Sequence, residues 1–229
     1  MKCELVSSLA DVNRNEWDSL NTSNHPFTSY DFLNSLEMSE SVTAKTGWNP
    51  QHIIIKNNTG NIIGASPNYL KMHSYGEYIF DHAWANAFEN AGGQYYPKLL
   101  SAIPFTPATG PRILIDPKNP DNNKIFELII KTFEVIVQNN NLSSAHINFI
   151  TDNLNKKLNN EKWIKRKGLQ FHWHNKDYNS FDDFLSKLKS SKRKAIRKER
   201  RSILNNNLII QKVTGNELNS EMWDSFYDF

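Results

Sequence analysis

One cysteine, Cys3, is all that the 229 residues contain, which excludes an internal disulfide framework and any zinc site built on cysteine pairs. Nothing in the fold is therefore expected to depend on an oxidising compartment. Long apolar runs are also missing. No stretch approaches the roughly 20 continuous apolar residues of a spanning helix, and the opening Met1-Lys2-Cys3-Glu4-Leu5-Val6-Ser7 lacks the apolar core of a signal peptide. The expectation is a cytoplasmic protein with no membrane span. Metal-binding patterns are sparse: His172 and His174 flank Trp173 on one face of an extended stretch, but no third ligand has motif-like spacing, and His25, His52, His73 and His146 stand alone. No metal is expected.

What is present is the composition of a globular chain, with 38% hydrophobic and 22% charged residues and a mean hydropathy of -0.62. Asparagine runs such as Asn139-Asn140-Asn141 and Asn205-Asn206-Asn207 read as compositional bias with a loop preference, not as a prion-like tract. The formal net charge of +3 conceals an asymmetry. From Glu161 to Leu204, fourteen Lys and Arg face five Asp and Glu, a balance of about +9, and the rest of the chain carries about -6.

Strand and helix signals alternate, which predicts an α/β (α+β) fold with a mixed, mostly antiparallel sheet flanked by helices. Lys2 to Val6 reads as a strand, Asn13 to Leu20 and Ser29 to Glu37 as helices, and His52 to Lys56, the turn Asn57-Asn58-Thr59-Gly60 and Ile62 to Met72 as a hairpin. Phe80 to Asn90 is expected to be helical, capped by Asp81, with Phe80, Trp84, Ala87 and Phe88 on one apolar face. Leu99 to Phe105 reads as a strand, and Pro104, Pro107 and Pro111 define an irregular loop before the extended run Arg112 to Ile115. A helix at Asn122 to Gln138, a strand at Ala145 to Ile150, a helix at Asp152 to Asn159 and a last strand at Leu169 to His174 complete a domain of residues 1–178. Residues 179–206 form a basic connecting helix starting at Ser180. Residues 207–229 supply a strand, Leu208 to Val213, and a helix, Glu217 to Phe229. A strand and one helix cannot bury a core, so this part reads as the opening of a second, incomplete domain and the chain as a fragment.

Two stretches carry a family resemblance. One runs from Asn24-His25-Pro26-Phe27-Thr28-Ser29-Tyr30-Asp31-Phe32-Leu33 through Leu36-Glu37 to Thr46-Gly47-Trp48-Asn49-Pro50. The other runs from Phe80-Asp81-His82-Ala83-Trp84-Ala85 through Tyr95-Tyr96-Pro97-Lys98-Leu99 to Pro104-Phe105-Thr106-Pro107-Ala108-Thr109-Gly110-Pro111-Arg112. They resemble the bacterial FemAB-like N-acyltransferases of peptidoglycan biosynthesis or recognition, within the GNAT superfamily. The basic run followed by Met222-Trp223-Asp224-Ser225-Phe226-Tyr227 fits the start of that family's second domain. The resemblance implies tandem GNAT-like domains. It also implies transfer of an acyl or aminoacyl group from a CoA thioester or a charged tRNA to an amine, with no bound cofactor and no metal.

Such a transfer needs oxyanion donors, a base for the amine and an acid for the leaving group. Residue chemistry offers Asp81 and His82 as base or amine-positioning groups, Tyr95 or Tyr96 as general acid, and Lys98 with Arg112 for phosphate or carboxylate groups. Trp84 is a candidate for lining the cleft. Thr106, Thr109 and Gly110 form a candidate donor edge, since Gly110 has no side chain to keep a ligand from the backbone amides. The Gln/Arg-x-x-Gly-x-Gly/Ala loop of CoA-binding GNAT enzymes is absent, and Gly110-Pro111 stands where the similar Fem peptidyltransferases have a Gly-Pro. The donor therefore stays open between acyl-CoA and aminoacyl-tRNA. In the basic run, Lys194, Arg197, Lys198 and Arg201 recur at helical spacing and form a candidate phosphate-binding stripe for tRNA or CoA. The alternative reading is a non-enzymatic ligand- or RNA-binding domain.

Overall fold

The computed structural model describes residues 1–158, 162–169, 171–206 and 208–229. They divide into two compact units, 1–168 and 169–229. The first unit begins with β1 (Lys2–Val6), α1 (Arg14–Leu20) and α2 (Tyr30–Met38), followed by β2 (Trp48–Pro50), β3 (His52–Lys56), β4 (Ile62–Ser66) and β5 (Asn68–Lys71). Then come α3 (His82–Asn90), β6 (Lys98–Ser101), α4 (Asn122–Asn139), β7 (Ala145–Ile147) and α5 (Asp152–Lys157). Asn13 and Ser29 start α1 and α2 by accepting hydrogen bonds from the Glu16 and Phe32 amides.

The expected hairpin is present and longer than its sequence signal. One antiparallel register runs unbroken from Trp48 opposite Lys71 to Ile55 opposite Gly64. The strands are interrupted only at Gln51 and Pro67: Pro67, which has no N–H, falls opposite His52, and the Gln51 amide bridges to the Asn68 carbonyl at 2.8 Å. At that point the hairpin passes from a three-stranded sheet, β1-β3-β4, into a four-stranded one, β2-β5-β6-β7. All pairings are antiparallel except β6 with β7, which is parallel.

Strand alternation then places the core. Ile53 and Ile55 join Leu99 and the α4 stripe Ile125, Ile129, Phe133 and Ile136 in one apolar cluster, with those four helix positions spaced on a single face. Ile54 joins Trp17, Leu20 and Leu33 of α1 and α2 in a second cluster. Each fully buried side chain of this kind contributes roughly 1.5–3 kcal/mol by leaving water.

Several expectations need correction. Helix α3 buries only Ala85, and Phe80, Trp84 and Phe88 are exposed instead of forming a core face. Asp81 stands at its N-cap but makes no capping bond, because its carboxylate is drawn inward. Strand β6 ends at Ser101 and β7 at Ile147, and the run Arg112 to Ile115 contributes a single bridge, Leu114 with Ala65. Helix α5 is described to Lys157, and Asn159 lies outside the described residues.

In the second unit neither Leu169–His174 nor Leu208–Val213 is a strand among the described residues; Gln170 and Asn207 lie outside them. Apolar β-branched runs become strands only when another strand accepts their backbone bonds, and the described residues of the second unit contain no ladder. The basic helix is two helices, α6 (Phe181–Ser186) and α7 (Ser190–Asn205). Arg193 Nη1 donates to the Ser186 and Leu188 carbonyls at 3.3 Å each and satisfies the end of α6 at the break. Arg197 pairs with Asp182 at 3.1 Å, and the Arg200 guanidinium lies 4.4 Å from the Phe181 ring centroid. A last helix, α8 (Ser220–Asp228), starts from an Asn219 side-chain cap.

Candidate active site

Alternation along β5 sends Tyr69 and Lys71 to one face of the four-stranded sheet and Leu70 to the other. The register sets Lys71 opposite Trp48 on one side and opposite Lys98 on the other. A row of Trp48, Lys71 and Lys98 thus crosses three strands, and both lysines are 0% exposed. Like charges directly opposite each other destabilise a ladder, and burial makes an uncompensated charge costlier still.

Compensation is concentrated on Lys98. Its Nζ donates to Ser74 Oγ (2.9 Å), Glu77 Oε2 (3.0 Å) and Asp81 Oδ2 (2.8 Å), which uses all three ammonium protons. The Tyr95 hydroxyl donates to the same Asp81 oxygen at 2.8 Å, and the Tyr96 hydroxyl shares a hydrogen bond with Ser74 Oγ at 2.7 Å. The remaining carboxylate oxygens, Glu77 Oε1 and Asp81 Oδ1, are buried and unpartnered. Lys71 Nζ lies 3.4 Å from the centroid of the Trp48 ring and donates to the Tyr75 carbonyl at 3.3 Å.

Proton affinities follow from these contacts. Burial pushes the Asp81 carboxyl up, but the bonds from Lys98 and Tyr95 together with the Lys98 charge outweigh it and hold Asp81 well below its ordinary value. Burial raises Glu77 despite the opposing Lys98 charge. Burial and the bond to Asp81 keep the Tyr95 hydroxyl protonated well above its usual range. Lys71 is driven down to about 7 by burial, with Glu77 opposing the shift and the Lys98 charge adding to it. His146, bonded to Ser144 Oγ at 2.8 Å, is lowered to about 4 by burial and by Lys98.

Of the candidates read from the sequence, Asp81, Tyr95, Tyr96 and Lys98 converge here. His82 is exposed, its ring 6.0 Å from that of Tyr75. Trp84 is exposed beneath the Arg166 guanidinium, 5.8 Å from its ring centroid. The loop after β6 holds a separate group. Thr106 Oγ1 donates to the Pro104 carbonyl, and the Thr109 carbonyl meets His25 Nε2 at 3.1 Å. Gly110 does not open its amide to a ligand: its N–H bonds the Phe149 carbonyl, and a Cβ there would lie 2.4 Å from His25 Nε2. Arg112 is buried and donates to the Ala108 (2.7 Å) and Pro111 (3.2 Å) carbonyls, so its Nη donors shape the loop. On α7, Lys194, Arg197, Lys198 and Arg201 are all exposed.

Lys71, Ser74 and Glu77 join the same cluster, and sequence reasoning missed them. The available signal was Tyr69-x-Lys71, an alternation that puts a lysine on the face of a buried aromatic. A groove of about 210 Å³ lies between the starts of α4 and α5, lined by Pro111, Ile115, Asn122, Phe126, Thr151 and Lys157 among others. Among the described residues no group of three or more His, Cys, Asp and Glu is arranged to hold a metal ion, and no helix is long and apolar enough to cross a membrane.

The sequence profile of the FemAB-like family, described by peptidoglycan biosynthesis/recognition, matches residues 8–229. Among solved structures, an aminoglycoside antibiotic 6'-N-acetyltransferase of Acinetobacter haemolyticus is similar at 11% identity, over 77% of this chain and 100% of that one, with a TM-score of 0.44. An aminoglycoside N-acetyltransferase in complex with CoA is similar at 10% identity, over 76% and 98%, with a TM-score of 0.41. A ribosomal-protein-alanine N-acetyltransferase of Brucella melitensis biovar Abortus 2308 is similar at 12% identity, over 74% and 98%, with a TM-score of 0.41. No curated protein matches the chain.

Proposed function

The chain belongs to the FemAB-like family, and on that premise we propose that it is an N-acyltransferase moving an acyl group from a CoA thioester to an amine. The carrying observation is the buried cluster in which Lys98 fixes Glu77 and Asp81 while each carboxylate keeps one oxygen open. A buried carboxylate oxygen without a donor is costly, and an N–H group of the acceptor is the donor this arrangement suits. Asp81, held ionised by Lys98, positions the amine and is a poor base. Tyr96, linked through Ser74 to Lys98, protonates the leaving thiolate, a role worth 10²–10⁴-fold in rate. The groove between α4 and α5 suits the donor, with Lys157 at its rim. A peptidoglycan-precursor amine is the acceptor that the family's description favours.

The test is a thermal-shift and transfer screen of the full chain with acetyl-CoA, longer acyl-CoAs, free CoA and aminoacyl-tRNA. A donor at 100 times its Kd stabilises the folded state by about 2.7 kcal/mol, and Asp81→Asn is expected to abolish most transfer without losing that shift. Silence from every donor, with no amine acylated, overturns the reading. A shift with aminoacyl-tRNA alone replaces CoA by a charged tRNA as donor.

The exposed cationic stripe Lys194, Arg197, Lys198 and Arg201 favours a second reading, RNA docking by α7 without chemistry. That reading requires RNA affinity that falls steeply with salt and survives Asp81→Asn.

A further inference from the structure

The proton that the acceptor amine must lose is poorly received by Asp81, held well below its ordinary value, and by Tyr95, which keeps its own; Lys98 donates all three of its protons, and Glu77 is tied to it through Oε2. Across the ladder from Lys98 the situation is different. Lys71 is buried, its cation-stabilising contacts are one carbonyl and the face of Trp48, and both carboxylates of the cluster have gone to Lys98. The charged groups facing it are Lys98 on β6, and Glu77 and, further out, His73 on the segment between β5 and α3. A second full positive charge at this position would be opposed by the first, 0% exposed and without a carboxylate of its own.

We propose that Lys71 is the proton acceptor of the transfer, its ε-amine buried across the ladder from the Lys98 ammonium with the Trp48 face and the Tyr75 carbonyl as its contacts. The assignment rests on the acyl-transfer reading and extends it. The acceptor's ammonium group gives one proton to the Lys71 Nζ lone pair, and the freed amine attacks the thioester carbonyl. The C–N bond forms, the C–S bond breaks, and the second amine proton leaves with the thiol. The Lys71 ammonium so formed rests on the Trp48 face and the Tyr75 carbonyl until solvent takes its proton.

The segment that covers Lys71 is clasped by Phe105. Its amide donates to the Gly76 carbonyl at 3.1 Å, and its ring lies 5.5 Å from that of Trp48. Gly76 has a φ of +77°, and a Cβ there would fall 2.7 Å from the Phe105 ring, so a glycine is required for the clasp to close.

Two measurements on the full chain decide the matter. The first is trace labelling with acetic anhydride across pH, read at Lys71 by peptide mass spectrometry. A midpoint near neutrality is expected, against about 10.4 for ordinary lysines, and a midpoint in the ordinary range overturns the proposal. The second is the pH dependence of kcat/KM for the amine in Lys71→Met and Lys71→Arg. A 10²–10⁴-fold loss and disappearance of the limb near neutrality are expected in both, because arginine restores a cation over Trp48 but never a lone pair. Wild-type activity and pH profile in Lys71→Arg overturn the assignment and leave the acyl-transfer reading intact. A wild-type chain that transfers nothing overturns that reading and the role with it, whereas the labelling midpoint reports the amine alone.

Discussion

The molecule buries two clusters of ionisable groups, and they are built on opposite plans. Around His52, every polar atom is answered: Nδ1 accepts from the Asn68 amide (3.2 Å), so Nε2 carries the proton and donates to Glu37 Oε1 (2.8 Å). Glu37 Oε2 in turn accepts from the Ser8 hydroxyl and the Leu9 amide at 2.9 Å each. Around Lys98, two carboxylate oxygens are left unpartnered and a second lysine has been buried without a counter-ion. The first arrangement ties the start of the chain to α2 and the hairpin. The second pays in stability for open valences, which is the pattern expected of the proposed acyl-transfer site.

The contrast is sharpest under substitution. Lys98→Met is expected to destabilise the fold by about 3–5 kcal/mol, because it strands two buried carboxylates. Denaturant unfolding measures it, and a loss below 1 kcal/mol would mean that the cluster is not held by this ion. His52→Ala should cost about 1–3 kcal/mol through the unanswered Asn68 amide and Glu37 oxygen, with acyl transfer by the folded fraction unchanged. Reduced kcat in that variant would erase the distinction between the clusters.

Titration separates them further. Burial acts to raise Glu37, but its bonds from His52, Leu9 and Ser8 leave it lowered in the folded state. Its stabilising contribution is therefore complete above its ordinary value and is lost as pH falls through the lowered one. The folded pKa of Lys71, about 7, lies below its unfolded value, so the unfolded chain binds the extra proton between these limits. Stability should consequently rise with pH from about 7 to the ordinary lysine range, and Lys71→Met should flatten that rise in a series of Tm measurements. An identical slope in both chains would restore Lys71 to an ordinary lysine. The smallest expected effect lies in the second unit. Alanine at Lys194, Arg197, Lys198 and Arg201 removes one exposed ion pair, Arg197 with Asp182, and should move stability by no more than about 1 kcal/mol. Filter binding of RNA at two salt concentrations then shows whether the stripe has a nucleic-acid partner.

Legibility in the sequence follows the same division. The hairpin, α1, α2, α4 and β1 were readable because their apolar periodicity and caps are local. Asp81, Tyr95, Tyr96 and Lys98 were readable as chemistry because they lie within eighteen residues of one another. Lys71 was not, since its meaning depends on the register that seats it between Trp48 and Lys98. Gly110 and Arg112 needed the tertiary fold: the Gly110 amide is taken by the Phe149 carbonyl, and Arg112 gives Nη donors to the Ala108 and Pro111 carbonyls while it lines the groove between α4 and α5 and keeps Nε unpartnered. The runs Leu169–His174 and Leu208–Val213 have strand composition without a strand to pair with, and composition alone does not reveal that.

The uninterrupted register of the long hairpin has an evolutionary corollary. Inserting or deleting one residue in the Asn57–Gly60 turn would, in a perfect ladder, slide both sheets together and turn Lys71 to the α4 side. A bulge at Ile55/Lys56 already lies between that turn and the rest of the ladder. It provides a place where a change in turn length can be taken up before it propagates. The tip of the hairpin is thereby free to drift among descendants of this sequence, while the stretch from Ile55 back to Trp48 keeps Lys71 opposite Trp48.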